Sequence, residues 1–202
     1  GIRGGSATVH FPIWHQEIRD IIVLKNNKGT EDNRVRRLDY SIQLNKLMYE
    51  RLLTDGDITL FSPHDVPDLY EAFFSDQEKF KTLYENYERK TSIRKKKISA
   101  MELFSALIKE RAETGRIYIM NVDHCNDHSS FKDKVYMSNL CQEITLPTKP
   151  LQHIDDENGE IALCILSAIN VGTIKDLDDL EELCELAVRA LEEIIDYQKY
   201  PV

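Results

Sequence analysis

The chain has 202 residues, of which 42% are hydrophobic and 30% charged, and its formal net charge is −9. This length allows one domain with a sizeable core, and the composition excludes a disordered, collagen-like or disulfide-scaffold protein. The negative charge is concentrated in residues 152–202, where 13 acidic residues stand against 3 basic ones, so a nucleic-acid-binding surface is not expected.

Apolar spacing predicts strands and helices that alternate along the chain. Helices are expected where apolar residues recur every three or four positions, and strands where short apolar runs lie between turns. In chain order, the predicted elements are a strand at 33–39, a helix at 41–53, a strand at 58–61, helices at 68–88 and 97–113, strands at 116–120, 139–146 and 161–168, and a helix at 176–197. This alternation predicts an α/β fold with a partly parallel sheet.

Three local features refine this prediction. Gly115 follows Thr114 and predicts the end of the third helix, with the glycine in the left-handed conformation of a C-cap. The basic run at 94–97 is expected to form a solvated face at a helix start. Residues 121–138 are polar and are expected to form an irregular loop, and unstructured loops of that length are often functional.

The two ends of the chain are unusual for a complete domain. Residues 1–5 form a glycine-rich start without an initiator methionine, and a proline follows the last predicted helix in residues 200–202. We therefore expect both ends to be internal to a longer polypeptide.

The four cysteines, at positions 125, 141, 164 and 184, form no Cys-x-x-Cys pair. Neither a zinc knuckle nor a disulfide framework is therefore predicted, and reduced thiols are expected. The apolar residues next to Cys164 and Cys184 predict that both cysteines are buried core residues.

The chain has no signal-peptide pattern and no apolar run of the ~18 residues that a membrane-spanning helix needs, which predicts a soluble, cytoplasmic protein.

Asp123, His124, Cys125 and His128 are all of types that bind metal ions. Two histidines four positions apart share a face only on a helix, and the Asn, Asp and Ser residues around them disfavour a helix. Hydrogen bonding within a loop is therefore favoured over a metal site. A Cys-His hydrolase is also disfavoured, because no oxyanion hole and no nucleophile at a helix start can be identified.

A second group of candidate residues lies in the predicted strand at 139–146. In an extended chain, residues two apart point the same way, so Asn139, Cys141 and Glu143 would project together. An amide, a thiol and a carboxylate in one row can hold a hydroxyl group, carry out redox or radical chemistry and accept a proton. From the pattern alone, a half-buried strand with a core cysteine is the favoured interpretation.

The residues around Cys141 resemble a known catalytic loop. The run Ser138-Asn139-Leu140-Cys141-Gln142-Glu143-Ile144 is similar to the Asn-x-Cys-x-Glu finger loop in the large, catalytic subunit of class I ribonucleotide reductases, and most similar to the bacterial and phage class Ia branch. Further similar runs lie at 1–5, 24–27, 33–36, 58–67, 116–126, 146–150, 156–167 and 196–201. The resemblance implies that residues 1–202 are a single segment of the family's ten-stranded α/β barrel, incomplete at both ends, with the finger loop at about residues 136–147.

The resemblance also implies roles for individual residues in reducing ribonucleoside diphosphates to deoxyribonucleoside diphosphates. Cys141 would become a thiyl radical that abstracts the 3′ hydrogen of the substrate, and Glu143 would take the 3′-hydroxyl proton as general base. Asn139 would hydrogen-bond the substrate. Cys164 would be one of two thiols that reduce the 2′ position and end as a disulfide, with its partner cysteine outside this chain.

Arg3, Gly4 and Gly5 resemble the end of the family's specificity loop, which lies between the allosteric effector and the substrate base. Glycine would allow the unusual backbone angles and the close ligand approach that such a loop needs. Arg3 would contact the base or the effector.

The remaining implications concern partners. No cofactor or metal is expected in this segment, because a metal-containing small subunit would supply the radical. Thioredoxin or glutaredoxin would supply the reducing equivalents. The large subunit would form a homodimer, and the dNTP and ATP effectors would bind mainly elsewhere on it. The chain alone is expected to be inactive. The alternative is a non-catalytic assembly segment that needs a partner chain to complete the barrel, because a partial barrel leaves strand edges and apolar faces uncovered.

Overall fold

The computed structural model describes residues 4–200, which divide after Thr148 into two compact units. The first unit contains β1 (Thr8–Pro12), α1 (Ile18–Ile21), β2 (Asp39–Leu44), α2 (Lys46–Leu53), β3 (Asp57–Phe61), α3 (Pro67–Ser75), α4 (Gln77–Arg89), β4 (Lys95–Ser99), α5 (Ala100–Thr114), β5 (Ile117–Asn121) and α6 (Val122–Asp127). The second contains α7 (Leu180–Tyr197). No helix among residues 4–200 is long and apolar enough to cross a membrane.

Three strands form a parallel sheet in the order β1-β2-β5. Tyr40, Ile42 and Leu44 alternate with Ser41 and Gln43 along β2, and all five are buried. Because successive side chains of a strand point to opposite faces, the sheet has one largely apolar face and one polar face. The parallel pairing confirms the α/β prediction.

The two remaining strands, β3 and β4, pair in antiparallel fashion, and α4 packs against β3. The buried hydroxyl of Tyr84 in α4 accepts from Thr59 N and donates to Thr59 O, both at 2.7 Å. Thr59 Oγ1 also donates to the Glu88 carboxylate, which forms an ion pair with Arg51 at 2.8 Å. A side chain of α4 thus provides hydrogen-bond partners for the backbone N–H and C=O groups of Thr59 in the middle of β3.

Aromatic rings fill the core between the helices and the strands. The Trp14 ring meets Phe73 edge-on at 5.7 Å, and Phe73 lies 5.0 Å from Phe80. Phe80 in turn lies 5.6 Å from Tyr84. All four side chains are fully buried, so this cluster fixes how α3 and α4 pack in the first unit.

Several predicted elements are confirmed. The strands predicted at 58–61 and 116–120 correspond to β3 and β5, and the helix predicted at 97–113 corresponds to α5. Gly115 ends that helix in the left-handed conformation, at φ +64°.

Other predicted boundaries are wrong for identifiable reasons. The strand predicted at 33–39 begins only at Asp39, and the helix predicted from 41 begins at Lys46, because the alternating apolar residues of β2 also match a helical spacing. The helix predicted at 68–88 is divided at Asp76, which has an extended backbone and accepts from Lys79 N at 2.9 Å as the N-cap of α4.

The basic run lies in an edge strand and not at a helix start. Residues 95–99 form β4, and Lys96 and Lys97 are exposed there. Lysine side chains on an edge strand discourage pairing with another chain. The expected solvated face is present, but on a strand.

The second unit contains less regular structure than predicted. Residues 161–168 form no strand, and the described chain provides one isolated bridge nearby, between Lys149 and Glu160. An extended segment becomes a strand only when a neighbour pairs with its backbone. Cys164 and Cys184, expected to be buried, are exposed because no other part of the unit covers their apolar neighbours.

The Tyr84 hydroxyl is expected to stabilise the first unit. Tyr84→Phe removes both hydrogen bonds and leaves buried backbone groups of Thr59 unpaired, which should lower the free energy of unfolding by about 1–3 kcal/mol. Urea unfolding followed by fluorescence of the single tryptophan, Trp14, measures this. Tyr70→Phe is the matched control, since its partly exposed hydroxyl makes no such bridge; equal stability of the two variants would contradict the assignment.

Candidate functional site

The polar face of the parallel sheet carries a row of hydrogen-bonding side chains. His10 of β1, Ser41 of β2 and Tyr118 of β5 are in register with one another, with Thr8 and Gln43 on the same face. Residues directly opposite on neighbouring strands have Cβ atoms about 5 Å apart. This face therefore carries hydrogen-bonding side chains on all three strands, together with Pro12 and Met120, which lie on either side of Gln43.

The chain returns to this surface after α6. Residues 122–127 are helical, which contradicts the prediction of an irregular loop there. The helix forms because Asp123 is buried and makes its hydrogen bonds to backbone groups, accepting from Lys46 N at 2.7 Å and from His124 N at 2.9 Å. His124 and His128 do face each other on it, with ring centroids 6.1 Å apart. The described residues contain no group of three or more ligand-type side chains placed to bind a metal ion.

Two side-chain amides hydrogen-bond the backbone where the chain leaves α6 and enters the finger loop, residues 136–147. Asn126 pairs with the backbone of Val135 as another strand would: its Oδ1 accepts from Val135 N at 2.9 Å, and its Nδ2 donates to Val135 O at 3.0 Å. Gln43 Nε2 then donates to Tyr136 O at 2.7 Å. The base of the finger loop is thus tied to α6 and to β2.

The tip of the finger loop is a tight turn and not the strand predicted at 139–146. Asn139 O accepts from Gln142 N at 3.3 Å, and Asn139 Oδ1 accepts from Ile144 N at 3.0 Å. The Ser138 hydroxyl donates to Ile144 O, and Gln142 has φ +69°. These local hydrogen bonds replace the ladder of a strand, because asparagine and serine side chains compete for nearby backbone groups.

The turn contacts the polar face of the sheet at two points. Thr8 Oγ1 donates to Leu140 O at 2.6 Å, and Gln142 Nε2 lies 3.4 Å from His10 Nδ1. Cys141 itself remains exposed at the tip of the turn.

Asn139, Cys141 and Glu143 therefore do not project together in one row, as an extended strand would have placed them. Cys141 and Glu143 are exposed, on either side of Gln142, whereas Asn139 is half-buried and its Oδ1 is used within the turn. A thiol and a carboxylate two positions apart are accessible at a tip whose backbone is fixed. This arrangement can bring both groups to one small molecule.

Burial perturbs the titration of two residues beneath the loop. Burial lowers the pKa of His10, and a backbone hydrogen bond with Ser138 partly offsets this. Burial also raises the pKa of Tyr118, the charges of Cys141 and Asp39 add to the rise, and Arg116 opposes it. The polar face thus favours a neutral imidazole and a protonated phenol below the loop.

Some buried polar atoms of this face have no hydrogen-bond partner among the described residues. They are His10 Nε2, Ser41 Oγ and Gln43 Oε1. A buried unpaired polar group costs about 1–3 kcal/mol, so such groups are rare away from places where water or a ligand can pair with them.

The other residues selected from the sequence are not part of this turn. Cys164 is an exposed thiol in the second unit. Arg3 lies outside the described residues. Gly4 and Gly5 are exposed, their φ angles are not in the left-handed region, and nothing lies within 4 Å of a Cβ added to either, so nothing within the described chain requires glycine there.

Pattern analysis missed the residues that support the loop, namely Thr8, His10 and Gln43. Alternating polar and apolar residues at 8–12 and 39–44 carried the signal for a strand with one polar face. The segment 8–12 was not assigned, and 41–44 was assigned to a helix.

Comparison with known proteins gives a consistent result. A family model described as ribonucleotide reductase, barrel domain, matches residues 1–202. The chain is 64% identical over its whole length to the ribonucleoside-diphosphate reductase subunit alpha of Buchnera aphidicola from Schizaphis graminum, of which it covers 27%. It is 48% identical over its whole length to the ribonucleoside-diphosphate reductase subunit alpha of Enterobacteria phage T4, of which it again covers 27%. It is 62% identical over 75% of its length to the ribonucleoside-diphosphate reductase 1 subunit alpha of Escherichia coli, of which it covers 20%. The chain thus spans about a quarter of the length of these relatives.

Protonation of His10 should weaken the first unit. Since burial holds its pKa below the unfolded value of about 6.5, the unfolded state gains a proton first as the pH falls, and stability is lost from about pH 6.5 downwards. His10→Gln should therefore lose less unfolding free energy than the wild type between about pH 7 and 5. Urea unfolding at each pH measures this, with the exposed His153→Gln as control; identical pH dependence in wild type and His10→Gln would contradict the prediction.

Proposed function

The chain belongs to the ribonucleotide reductase barrel-domain family, and we propose that it is the finger-loop segment of a ribonucleoside-diphosphate reductase large subunit. In that reaction, hydrogen replaces the 2′ hydroxyl of a ribonucleoside diphosphate, the hydroxyl leaves as water, and two thiols are oxidised to a disulfide. Because the chain spans 27% of its relatives' length, the complete subunit is the unit that would turn over.

One observation carries the proposal: the turn at the tip of the finger loop leaves Cys141 and Glu143 exposed while its backbone is bonded to the sheet. A reacting group is effective when it is held in place before the substrate arrives. The contacts of Thr8 and Asn139 with the turn provide this support.

Cys141 and Glu143 have complementary roles in the proposal. As a thiyl radical, the Cys141 sulfur takes the 3′ hydrogen atom and becomes a thiol, which leaves the unpaired electron on the 3′ carbon. The Glu143 carboxylate accepts the 3′-hydroxyl proton. Both groups are exposed at the tip, so one sugar can meet both.

Asn139 serves the turn and the substrate with different atoms. Its Oδ1 accepts from Ile144 N at 3.0 Å and so fixes the loop. Its Nδ2 has no hydrogen-bond partner among residues 4–200 and is the donor we assign to a substrate hydroxyl. Replacing Asn139 would therefore disturb both the loop and substrate binding.

Cys164 and the N-terminal residues complete the proposed site only in the larger subunit. Cys164 is an exposed free thiol, as a reductant of the 2′ position must be, and its disulfide partner would come from outside this chain. Gly4 and Gly5 leave open space around their Cα atoms that a base or an effector would fill, and Arg3 would contact either one.

The proposal includes the partners that such chemistry needs. A small, metal-containing subunit would generate the radical, and thioredoxin or glutaredoxin would reduce the disulfide again. The large subunit would act as a homodimer in the cytoplasm, with dNTP and ATP effectors bound mainly outside this segment. Four free cysteines are consistent with work in a reducing compartment.

Cys141→Ser in the complete subunit should lower deoxynucleotide formation by at least about a thousandfold, because a serine hydroxyl cannot replace the thiyl radical. Substrate binding should stay within about twofold, since the substitution changes one atom. Product formation and equilibrium nucleotide binding are the two measurements. Cys184→Ser, which changes an exposed thiol on α7, is the matched control; normal turnover by Cys141→Ser would refute the function.

A second candidate function is supported by the surface of the second unit. A groove of about 600 Å³ within residues 151–200 has apolar walls that include Leu151, Ile161, Leu163 and Ile195. Leu166 and Leu177 are more than 70% exposed. Apolar surfaces of this kind mark interfaces, and they favour an assembly segment that is stable only with a partner chain.

The assembly alternative predicts that the 202-residue chain associates with itself or with a complementary barrel segment. Its mass by size-exclusion chromatography with light scattering should rise with concentration, because association covers the apolar residues of the second unit. Leu166→Glu should reduce this association, whereas Lys199→Glu, an exposed change on the same unit, should not. A monomer at all concentrations with a cooperative melt would contradict the alternative.

A further inference from the structure

Gln142 has a backbone conformation that glutamine seldom adopts. Its φ of +69° lies in the left-handed region, where the Cβ of an L-residue crowds the following carbonyl oxygen. The other non-glycine residue with a positive φ among residues 4–200 is Asp55, just after α2, and aspartate tolerates this region better than most residues. Glutamine has no such preference, so contacts with its surroundings must hold it there.

Two contacts hold Gln142 in this conformation. Its backbone N–H donates to Asn139 O at 3.3 Å and closes the turn. Its side-chain Nε2 lies 3.4 Å from Nδ1 of His10 on β1. The first contact is local to the loop, whereas the second joins the centre of the turn to a strand 132 residues away in the sequence.

His10 is a suitable acceptor for this side chain. An amide N–H can only donate, so the contact needs an unprotonated Nδ1, with the proton of a neutral imidazole on Nε2. Burial lowers the pKa of His10 below its ordinary value, which favours the neutral ring. His10 also lies within β1, where pairing with β2 fixes its backbone. A fixed acceptor thus restrains the Gln142 side chain.

The backbone at Gln142 determines how its two neighbours are directed. Cys141 and Glu143 precede and follow it, and both are exposed. Were Gln142 extended, their side chains would project to the same side. Rotation about the N–Cα bond of Gln142 turns one neighbour relative to the other, so the angle between the thiol and the carboxylate depends on this unfavourable φ.

We propose that Gln142 is a positioning residue whose side chain, held by His10, fixes the angle between the Cys141 thiol and the Glu143 carboxylate. This inference rests on the proposed function. The two groups act on the 3′ hydrogen and the 3′ hydroxyl of one sugar, so a change in their relative direction moves at least one of them away from its target atom. Gln142 acts only through these neighbours.

Gln142→Met tests the proposal, because methionine has a similar length but no amide to donate to His10. In the complete subunit with its radical-supplying partner, kcat for a ribonucleoside diphosphate should fall about fivefold or more, since misaligned reacting groups are costly even when binding is intact. KM should stay within about twofold. Gln152→Met is the matched control, because Gln152 is exposed in the second unit, and it should change neither value. An unchanged kcat in Gln142→Met overturns the positioning role.

A double-mutant cycle with His10→Phe tests whether His10 is the partner. Each single substitution breaks the same contact, so the kcat of the double variant should lie within about twofold of the lower single value. Effects that multiply would show that the two residues act independently, and would overturn the assignment of His10 as the residue that holds Gln142.

Hydrogen exchange measured by mass spectrometry gives a readout that does not depend on turnover. The amides of Gln142 and Ile144 are hydrogen-bonded within the turn. A peptide covering residues 136–147 should therefore exchange faster in Gln142→Met and in His10→Phe than in the wild type or in Gln152→Met. Thermal melting followed by circular dichroism checks that the variants fold.

The outcomes separate this inference from the function on which it rests. Unchanged exchange in Gln142→Met overturns the contribution of the His10 contact to the turn. A wild-type subunit that reduces no ribonucleotide refutes the proposed function instead, and the exchange of the 136–147 peptide then decides the contact by itself.

Discussion

Alternation of side chains along three parallel strands is the constraint on which the rest of the site depends. One face of β1, β2 and β5 is largely apolar and packs into the core. The opposite face then necessarily carries Thr8, His10, Ser41, Gln43 and Tyr118, of which His10, Ser41 and Tyr118 are in register. A one-residue shift in any strand would exchange the two faces, so the core and the support of the finger loop are set by the same pairing.

The buried polar side chains of this face need hydrogen-bond partners, and the backbone of the finger loop provides several of them. The backbone oxygens of Tyr136 and Leu140 accept from Gln43 and Thr8, so a segment without regular structure has its carbonyls satisfied by side chains. The turn also satisfies itself through Asn139. The exposed tip is therefore held from two sides, which leaves the Cys141 thiol accessible on a backbone that hydrogen bonds hold in place.

The sequence allowed parts of the fold to be predicted, for reasons that individual residues illustrate. Apolar runs found β3 and β5, and Gly115 marked the end of α5, because these signals are local. The helix predicted over 41–44 was wrong because Ile42 and Leu44 fit both periods. The turn at Gln142 could not be predicted, since it depends on the hydrogen bonds of Asn139 and on contacts with a distant sheet. Pattern alone also left Cys141 and Glu143 as residues of an ordinary strand; the family resemblance is the source of the roles proposed for them. Nothing local marked Thr8 as a support of the loop.

The central claim is that the sheet holds the finger loop so that Cys141 and Glu143 meet the same sugar. A crystal structure of the complete subunit with a bound ribonucleoside diphosphate tests this directly. The account predicts the turn at Gln142, the Thr8 contact with Leu140 O, the Cys141 sulfur about 3–4 Å from the 3′ carbon and the Glu143 carboxylate at the 3′ hydroxyl. A substrate bound with its 3′ carbon away from Cys141, or a finger loop detached from the polar face, would contradict it.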